Sequence, residues 1–334
     1  MTTKRKKKSV ESVDEMVARW TLVSGANQDL SATRDLLRFL SSELYDQYKP
    51  FATKPPFWDR LARWLNNVTS AADQKRLLEF VPWLLFIGQD EMETMYQAAF
   101  AGPIARWIID EARLDICAPD LRERFADELQ QTFFGSIAGM DINGFVRVNG
   151  LAGQSHRPNF REHSQLGDYD RFKQEIEDLG YRRFVAVEDM VGTGTQMLEA
   201  APILEHLAPK KVLLCPIVVA PTGVDTWQRE LKPRLQCVHI DFQPLFVIPN
   251  NATMPASPAT SESPEVRDFR KVLNRTWNKV KGTNPSAQLY GPFGFGDFGS
   301  LVLTYLNCPD NVPPLIHYEG DQWKPLFPRL SREG

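Results

Sequence analysis

The chain has 334 residues, of which 43% are hydrophobic and 24% charged, with a formal net charge of -3. This is the composition of a folded globular protein with room for two domains. A charge balance this near neutrality excludes a global pull toward nucleic acid or an anionic membrane. The longest apolar runs, such as VPWLLFIG and VLLCPIVVA, fall far short of the ~20 residues that a membrane-spanning helix needs.

The chain opens with a basic tail, residues 1–9, carrying Lys4, Arg5, Lys6, Lys7 and Lys8. No apolar run follows it, so it reads as a solvated, disordered terminus and not as a signal peptide. Nucleic acid is not an expected partner except through this tail. Residues 10–131 read as an all-helical domain. Val13, Met16, Val17 and Trp20 share one face of a helix, and so do Leu36, Leu37, Leu40 and Leu44, then Leu61, Trp64, Leu65 and Val68. Residues 73–88 and 91–114 continue the helical pattern, and a Lys-Pro-Pro break at 54–56 separates two helices. Five of the eight tryptophans lie in this region at core-like spacing. A last helix is expected over 119–132, with Leu121, Phe125 and Leu129 spaced by four.

The pattern changes after Thr132, where glycines appear at 135, 139, 144, 150 and 153. Residues 144–148 (GFVRV) read as a short strand, followed by a polar loop, GLAGQSHRPNFREHSQ. A helix is expected over 168–179, closed by Gly180. Strands follow at 183–187, 211–220 and 237–248, with helices at 196–207 and 226–234 between them. Such alternation predicts βαβ units and a parallel sheet. Residues 250–264, rich in Pro, Ser and Thr, read as an exposed loop, and 266–281 as a helix. The expected fold is therefore α/β, a parallel sheet flanked by helices over 132–330, preceded by an all-α N-terminal domain. Cys117, Cys215, Cys237 and Cys308 form no CxxC pair and read as buried free thiols of a cytoplasmic protein.

Within the sheet region, FVAVEDMVGTGTQML (184–198) concentrates the chemistry. Four apolar residues lead into Glu188 and Asp189 at the expected end of a buried strand, where open α/β sheets bind ligands. Gly192, Thr193, Gly194, Thr195 and Gln196 then open a helix. Glycines let the backbone turn and approach closely, threonines add hydroxyl donors, and free backbone N–H groups favour a phosphate. Ionised carboxylates accept hydrogen bonds and donate none. They would repel that phosphate, so they must face another part of the ligand. A ribose 5-phosphate, with its diol beside its phosphate, satisfies both halves.

This segment is similar to the phosphoribosyl-diphosphate (PRPP) binding motif of type I phosphoribosyltransferases: four apolar residues, an acidic pair, two apolar residues and a Ser/Thr/Gly loop. Gly192 and Gln196 depart from that pattern, since small hydroxyl residues are usual at both places. VNGLAGQSHRP, GFGDFG, NCPDNVPPL and WKPLFPR extend the likeness over 132–329. Together they resemble PRTase-CE, a divergent phosphoribosyltransferase-like family of prokaryotic conflict and antiviral systems. The resemblance implies a type I phosphoribosyltransferase-like fold, a site for PRPP or a related ribose phosphate, Mg²⁺ carried by the ligand with no direct protein ligands, and other proteins of a defence operon as partners. It implies that Glu188 and Asp189 hold the ribose hydroxyls while 192–196 clamp the 5-phosphate. Arg157, Arg161 and His156 in the loop before 168 are the candidates for pyrophosphate contact, with His163 behind them. Residues 293–298 and 307–311 are candidate hood elements over an acceptor, though a glycine turn with core phenylalanines is the preferred reading of the first, and Trp323 reads as packing.

Two rival readings stay open. DMVGTGT also resembles the glycine-rich nucleotide loop of S-adenosylmethionine methyltransferases, but the next expected strand ends in Ala220-Pro221, without the acid that such enzymes use to hold a ribose. A non-catalytic PRPP-sensing or interaction module is the other. No GxxxxGK[ST] loop, HExxH helix or GxSxG elbow occurs.

Overall fold

The computed structural model describes residues 10–24, 30–137, 140, 142–151, 163, 166–207, 210–235, 239–257, 262–283 and 290–330. Its strands are β1 (Leu85–Ile87), β2 (Thr132–Gly135), β3 (Arg183–Val191), β4 (Lys211–Val219), β5 (His239–Phe242), β6 (Phe246–Val247) and β7 (Val302–Thr304). Every pairing among them is parallel, in a sheet of order β2-β3-β4-β5 with β6 also on β4, and in a separate β1–β7 pair. The molecule is an α/β protein whose N-terminal helices precede the sheet.

The chain divides into two compact units: Asp90–Asn250, and a unit built from Met1–Gln89 together with Asn251–Gly334. The sheet-bearing unit is an insertion, and both chain ends join in the other unit. The local reason is strand pairing. VPWLLFIG, expected as helix, breaks at Pro82 into a 3₁₀ turn (Val81–Trp83) and then β1. β1 finds its partner in β7, with Leu85 opposite Val302.

In the unit that joins the chain ends, Val13, Met16, Val17 and Trp20 are buried on one face of the helix Val13–Ser24, as their spacing predicts. Leu61, Trp64, Leu65 and Val68 are buried too, whereas Leu36 faces solvent and only Leu37 of its group is fully covered. The rings of Tyr45, Tyr48, Phe51, Phe57 and Phe86 gather around Phe327 at centroid distances of 5.3–6.0 Å. The indole N–H groups of Trp64 and Trp323 both donate to the Leu315 carbonyl at 2.8 Å. Asn67 gives its side-chain N–H to the Lys324 carbonyl and accepts from the Lys324 N–H. The expected exposed loop at 250–264 is anchored in part: Met254 is fully buried and its N–H donates to Gly299 O at 2.7 Å.

In the inserted unit, β3 is buried on both faces over residues 183–188, with an apolar run at 184–187, as a central parallel strand requires. One face carries Phe133, Phe184, Ala186, Val212 and Leu214, packed against Phe172 and Ile176 of the helix Tyr169–Asp178 and against Ile203, Leu204, Trp227 and Leu231 of the two later crossovers. On the other, Phe134 meets Phe100 and Phe145. Phe145 belongs to the helix Ile142–Val148, so GFVRV is helical and not the expected strand. Phe100 opens a π-turn (Phe100–Ile104) that carries Pro103 within an otherwise continuous helical run from Gln89 to Ala112; the wider turn accommodates a residue with no N–H to give.

Candidate functional site

β3 runs four residues further than the sequence predicts, ending at Val191. Glu188 and Asp189 therefore lie within the C-terminal part of the strand, paired along β4 from Glu188 opposite Pro216 to Val191 opposite Val219. On the other side, the parallel register sets Gly135 of β2 opposite Ala186. The chain that continues from β2 thus arrives beside Glu188. Glu188 is 4% exposed, and its Oε1 accepts hydrogen bonds from the Ser136 hydroxyl at 2.8 Å and from the Ile137 N–H. The Ser136 oxygen also accepts from the Met140 N–H at 2.8 Å. Asp189 is half-buried, and its Oδ1 accepts from the Met190 N–H at 2.8 Å.

The loop that follows is braced from the end of β4. Three successive carbonyls accept from residues 220–226: Val191 O from the Ala220 N–H (2.9 Å), Gly192 O from the Thr222 hydroxyl (3.3 Å) and Thr193 O from the Thr226 hydroxyl (2.7 Å). In a planar trans peptide the C=O and N–H point in opposite directions. Pinning these oxygens toward 220–226 turns the N–H groups of Gly192, Thr193 and Gly194 the other way. Gly194 has φ +83°, which opens the short helix Thr195–Glu199 and which glycine alone adopts at no steric cost. A Cβ at Gly223 would lie 2.9 Å from Gly192 O, so the brace itself depends on a glycine. The Thr193 and Thr195 hydroxyls share a hydrogen bond at 2.9 Å, and Gln196 is exposed on the first helical turn. Chemically, this is a glycine-containing turn with backbone N–H groups directed away from 220–226 and two carboxylates immediately upstream of it.

A family model described as PRTase-CE matches residues 61–329. The chain belongs to the PRTase-CE family. No curated protein and no solved structure matches it. The PRTase-CE match begins in the helix Phe57–Leu65, not at 132, so much of the N-terminal helical region lies inside the family's extent and not ahead of it.

The remaining site expectations for this PRTase-CE protein fall out differently. His156, Arg157 and Arg161 lie outside the described residues. His163 is buried, with its ring 5.5 Å from that of Phe172 and Nε2 3.4 Å from the Glu175 carboxylate, so it packs against the crossover helix. The two hood candidates pack on each other: Phe295 N–H donates to Asp310 O and Ser300 N–H to Asn311 O, both at 2.9 Å. Phe293 and Phe298 are core residues, and Phe295 alone of the three is exposed. Asn307 binds both the N–H and the C=O of Leu330 through its side chain, at 3.1 Å each, which makes NCPD a chain staple. Trp323 is fully buried, as expected. Of the thiols, Cys215 and Cys308 are buried but Cys117 is exposed, and Cys237 lies outside the described residues.

Sequence reading missed Ser136, Thr222, Thr226 and Gly223. Ser136 directly follows β2, Thr222 and Gly223 lie in the first turn of the helix after β4, and Thr226 closes that helix. A polar or glycine residue directly after a buried strand is the signal that was available.

Proposed function

We propose that this protein binds PRPP or a related ribose 5-phosphate at 188–196 and transfers or hydrolyses the phosphoribosyl group. One observation carries the reading: a carboxylate pair in the C-terminal part of β3 leads within a few residues into a loop whose carbonyls are held back toward 220–226 and whose N–H groups face the other way. Phosphate and diol of one small ligand match those two halves.

In this reading the peptide N–H groups of 192–194, the hydroxyls of Thr193 and Thr195, and Gln196 hold the 5-phosphate. Gly192 and Gln196 depart from the usual motif, and the pinned carbonyls supply the order that the loop's own side chains do not. Glu188 and Asp189 accept hydrogen bonds from the ribose hydroxyls. Their negative charge also favours the positive charge that develops on the ring as the bond at the anomeric carbon breaks. The rest of the protein's task is positioning. Arg157, Arg161 and His156 remain the cations proposed for the leaving pyrophosphate.

Among the described residues, no group of three or more His, Cys, Asp or Glu side chains is placed to hold a metal. Mg²⁺ is proposed to be held by the ligand's oxygens and by water, as its reluctance to dehydrate favours. When bound, the ion would offset charge on the leaving pyrophosphate.

The methyltransferase reading is disfavoured because β4 runs out through Val219, Ala220 and Pro221, with no carboxylate to grip a ribose. Among the described residues, no helix is long and apolar enough to cross a membrane. The proposed setting is the cytoplasm, within a prokaryotic defence system and beside other proteins of that system.

The test is to incubate purified protein with PRPP, Mg²⁺ and a panel of bases and nucleotides, and to measure pyrophosphate release and PRPP binding for the wild type and for Asp189→Asn. Release that falls at least 100-fold in the variant supports the enzyme. Binding without release moves the protein to the non-catalytic sensing module. Tight binding of S-adenosylmethionine with none of PRPP would overturn the reading.

A further inference from the structure

The turn after β2 carries a residue that belongs to this site and that the phosphoribosyl motif does not contain. We infer that Ser136 is a positioning residue: its hydroxyl fixes the carboxylate of Glu188 in the orientation that lets Glu188 serve the ribose diol. The inference rests on the ribose-phosphate reading above and deepens it by naming what sets the diol half of the site.

Glu188 is almost fully buried, on a strand whose preceding five residues are buried as well. A carboxylate there must be hydrogen-bonded to stay ionised. A free glutamate side chain has three soft torsions and would sample several orientations. Two donors from one neighbouring segment, the Ser136 hydroxyl at 2.8 Å and the Ile137 N–H, converge on the same oxygen, Oε1. Two directed bonds to one oxygen select a single rotamer and a single carboxylate plane.

The Ser136 hydroxyl is itself aimed. It has one proton to give, and the Met140 N–H occupies its acceptor side at 2.8 Å, so the proton goes to Glu188. The hydroxyl is therefore shared between the turn after β2 and the acid on β3. The backbone supports the arrangement. Gly135 carries no side chain where a Cβ would meet the Phe133 and Phe184 rings at 2.9 and 3.0 Å, and this lets β2 run close beside β3 up to Ser136.

A residue that acts only through Glu188 should affect the part of the affinity that comes from the diol, and no other part. The experiment titrates ribose 5-phosphate and 2,3-dideoxyribose 5-phosphate, each with MgCl₂, into the wild type, Ser136→Ala and Ser136→Thr, with thermal unfolding run on all three. The wild type is expected to prefer the diol-bearing sugar by about tenfold or more. Ser136→Ala is expected to lose most of that preference while binding the dideoxy sugar as the wild type does, and Ser136→Thr, which keeps the hydroxyl, is expected to retain it. Preference preserved in Ser136→Ala overturns the role given to Ser136 and leaves the ribose-phosphate reading standing. A wild type that binds both sugars equally, or neither, overturns the diol reading and the inference with it. If Ser136→Ala is unfolded, Ser136→Gly, which also removes the hydroxyl, takes its place, and preference preserved there counts equally against the proposal.

Discussion

Gly194 lies so close to Thr226 that a Cβ on the glycine would stand 2.8 Å from the Thr226 Cγ2 methyl and 2.9 Å from its Cβ. The loop after β3 and the helix after β4 are thus fitted to each other at a point where the backbone is also left-handed, φ +83°. Gly194→Ala meets both obstacles. The left-handed conformation costs a residue with a side chain roughly 1–2 kcal/mol, and forcing atoms into a packed contact adds about 1–3 kcal/mol. The expected outcome is a drop of about 2–5 kcal/mol in urea unfolding of the inserted unit, with ribose-phosphate binding lost.

Thr226→Val keeps the shape of the side chain and removes only the donor to Thr193 O. Loss of one such hydrogen bond costs about 1 kcal/mol, a small fraction of total stability. The effect on ligand should be larger than the effect on folding, because the Gly194 N–H loses its fixed direction. Calorimetric titration with ribose 5-phosphate should show affinity reduced about tenfold or more in Thr226→Val and restored in Thr226→Ser. An unchanged affinity would show that the brace plays no part in binding.

His317 makes stability fall on mild acidification. It is fully enclosed, its ring N–H donates to Val312 O at 3.0 Å, and burial, helped by the Arg329 charge, pushes its pKa down from 6.5 to about 4. Between those two values the unfolded chain binds a proton that the folded chain refuses. Stability is therefore fully present above pH 6.5 and is lost progressively as the pH falls toward 4, by up to about 3 kcal/mol for this group. Chemical denaturation from pH 7 to pH 4 should show that slope, and His317→Gln should flatten it.

Trp323 closes the unit that joins the two chain ends. It is fully buried and shares the Leu315 carbonyl with Trp64. Trp323→Ala should cost about 3–5 kcal/mol. Trp323→Phe, which keeps most of the apolar volume and drops the N–H, should cost distinctly less. Thermal unfolding of the full chain measures both.

Local pattern reported local facts well. The buried FVAV run, the helical face of 13–20 and the crossover helix before β3 lie where spacing and strand propensity put them, and the face expected over 61–68 is helical as far as Leu65, with Val68 buried beyond the helix end. The carboxylates and the Gly/Thr loop stand out as a candidate site for the same reason, being contiguous in sequence. GFVRV was misread because five residues with three apolar ones suit a strand and a helical turn equally, and only the Phe134 and Phe100 rings against Phe145 decide the matter. The VPWLLFIG run was misassigned because its strand partner, β7, lies more than 200 residues away, beyond any local window. Ser136, Thr222 and Thr226 were invisible as site residues because what matters about them is register: they meet β3 and its loop only once β2 and β4 are paired to it.

Leu301 joins the two points at which the chain leaves and re-enters the terminal unit: its C=O accepts from the Leu85 N–H at 2.9 Å, and its N–H donates to Ala252 O at 3.0 Å. This sets an order of events during synthesis. The inserted unit is complete by Asn250 and can fold as soon as it emerges, whereas β1 must wait for β7 to be made. Without that early collapse, closing so long a loop would carry the entropy of a flexible chain, which grows as (3/2)RT ln n. With it, the intervening residues are already compact when Leu301 emerges, and the last seam of the molecule is a short one.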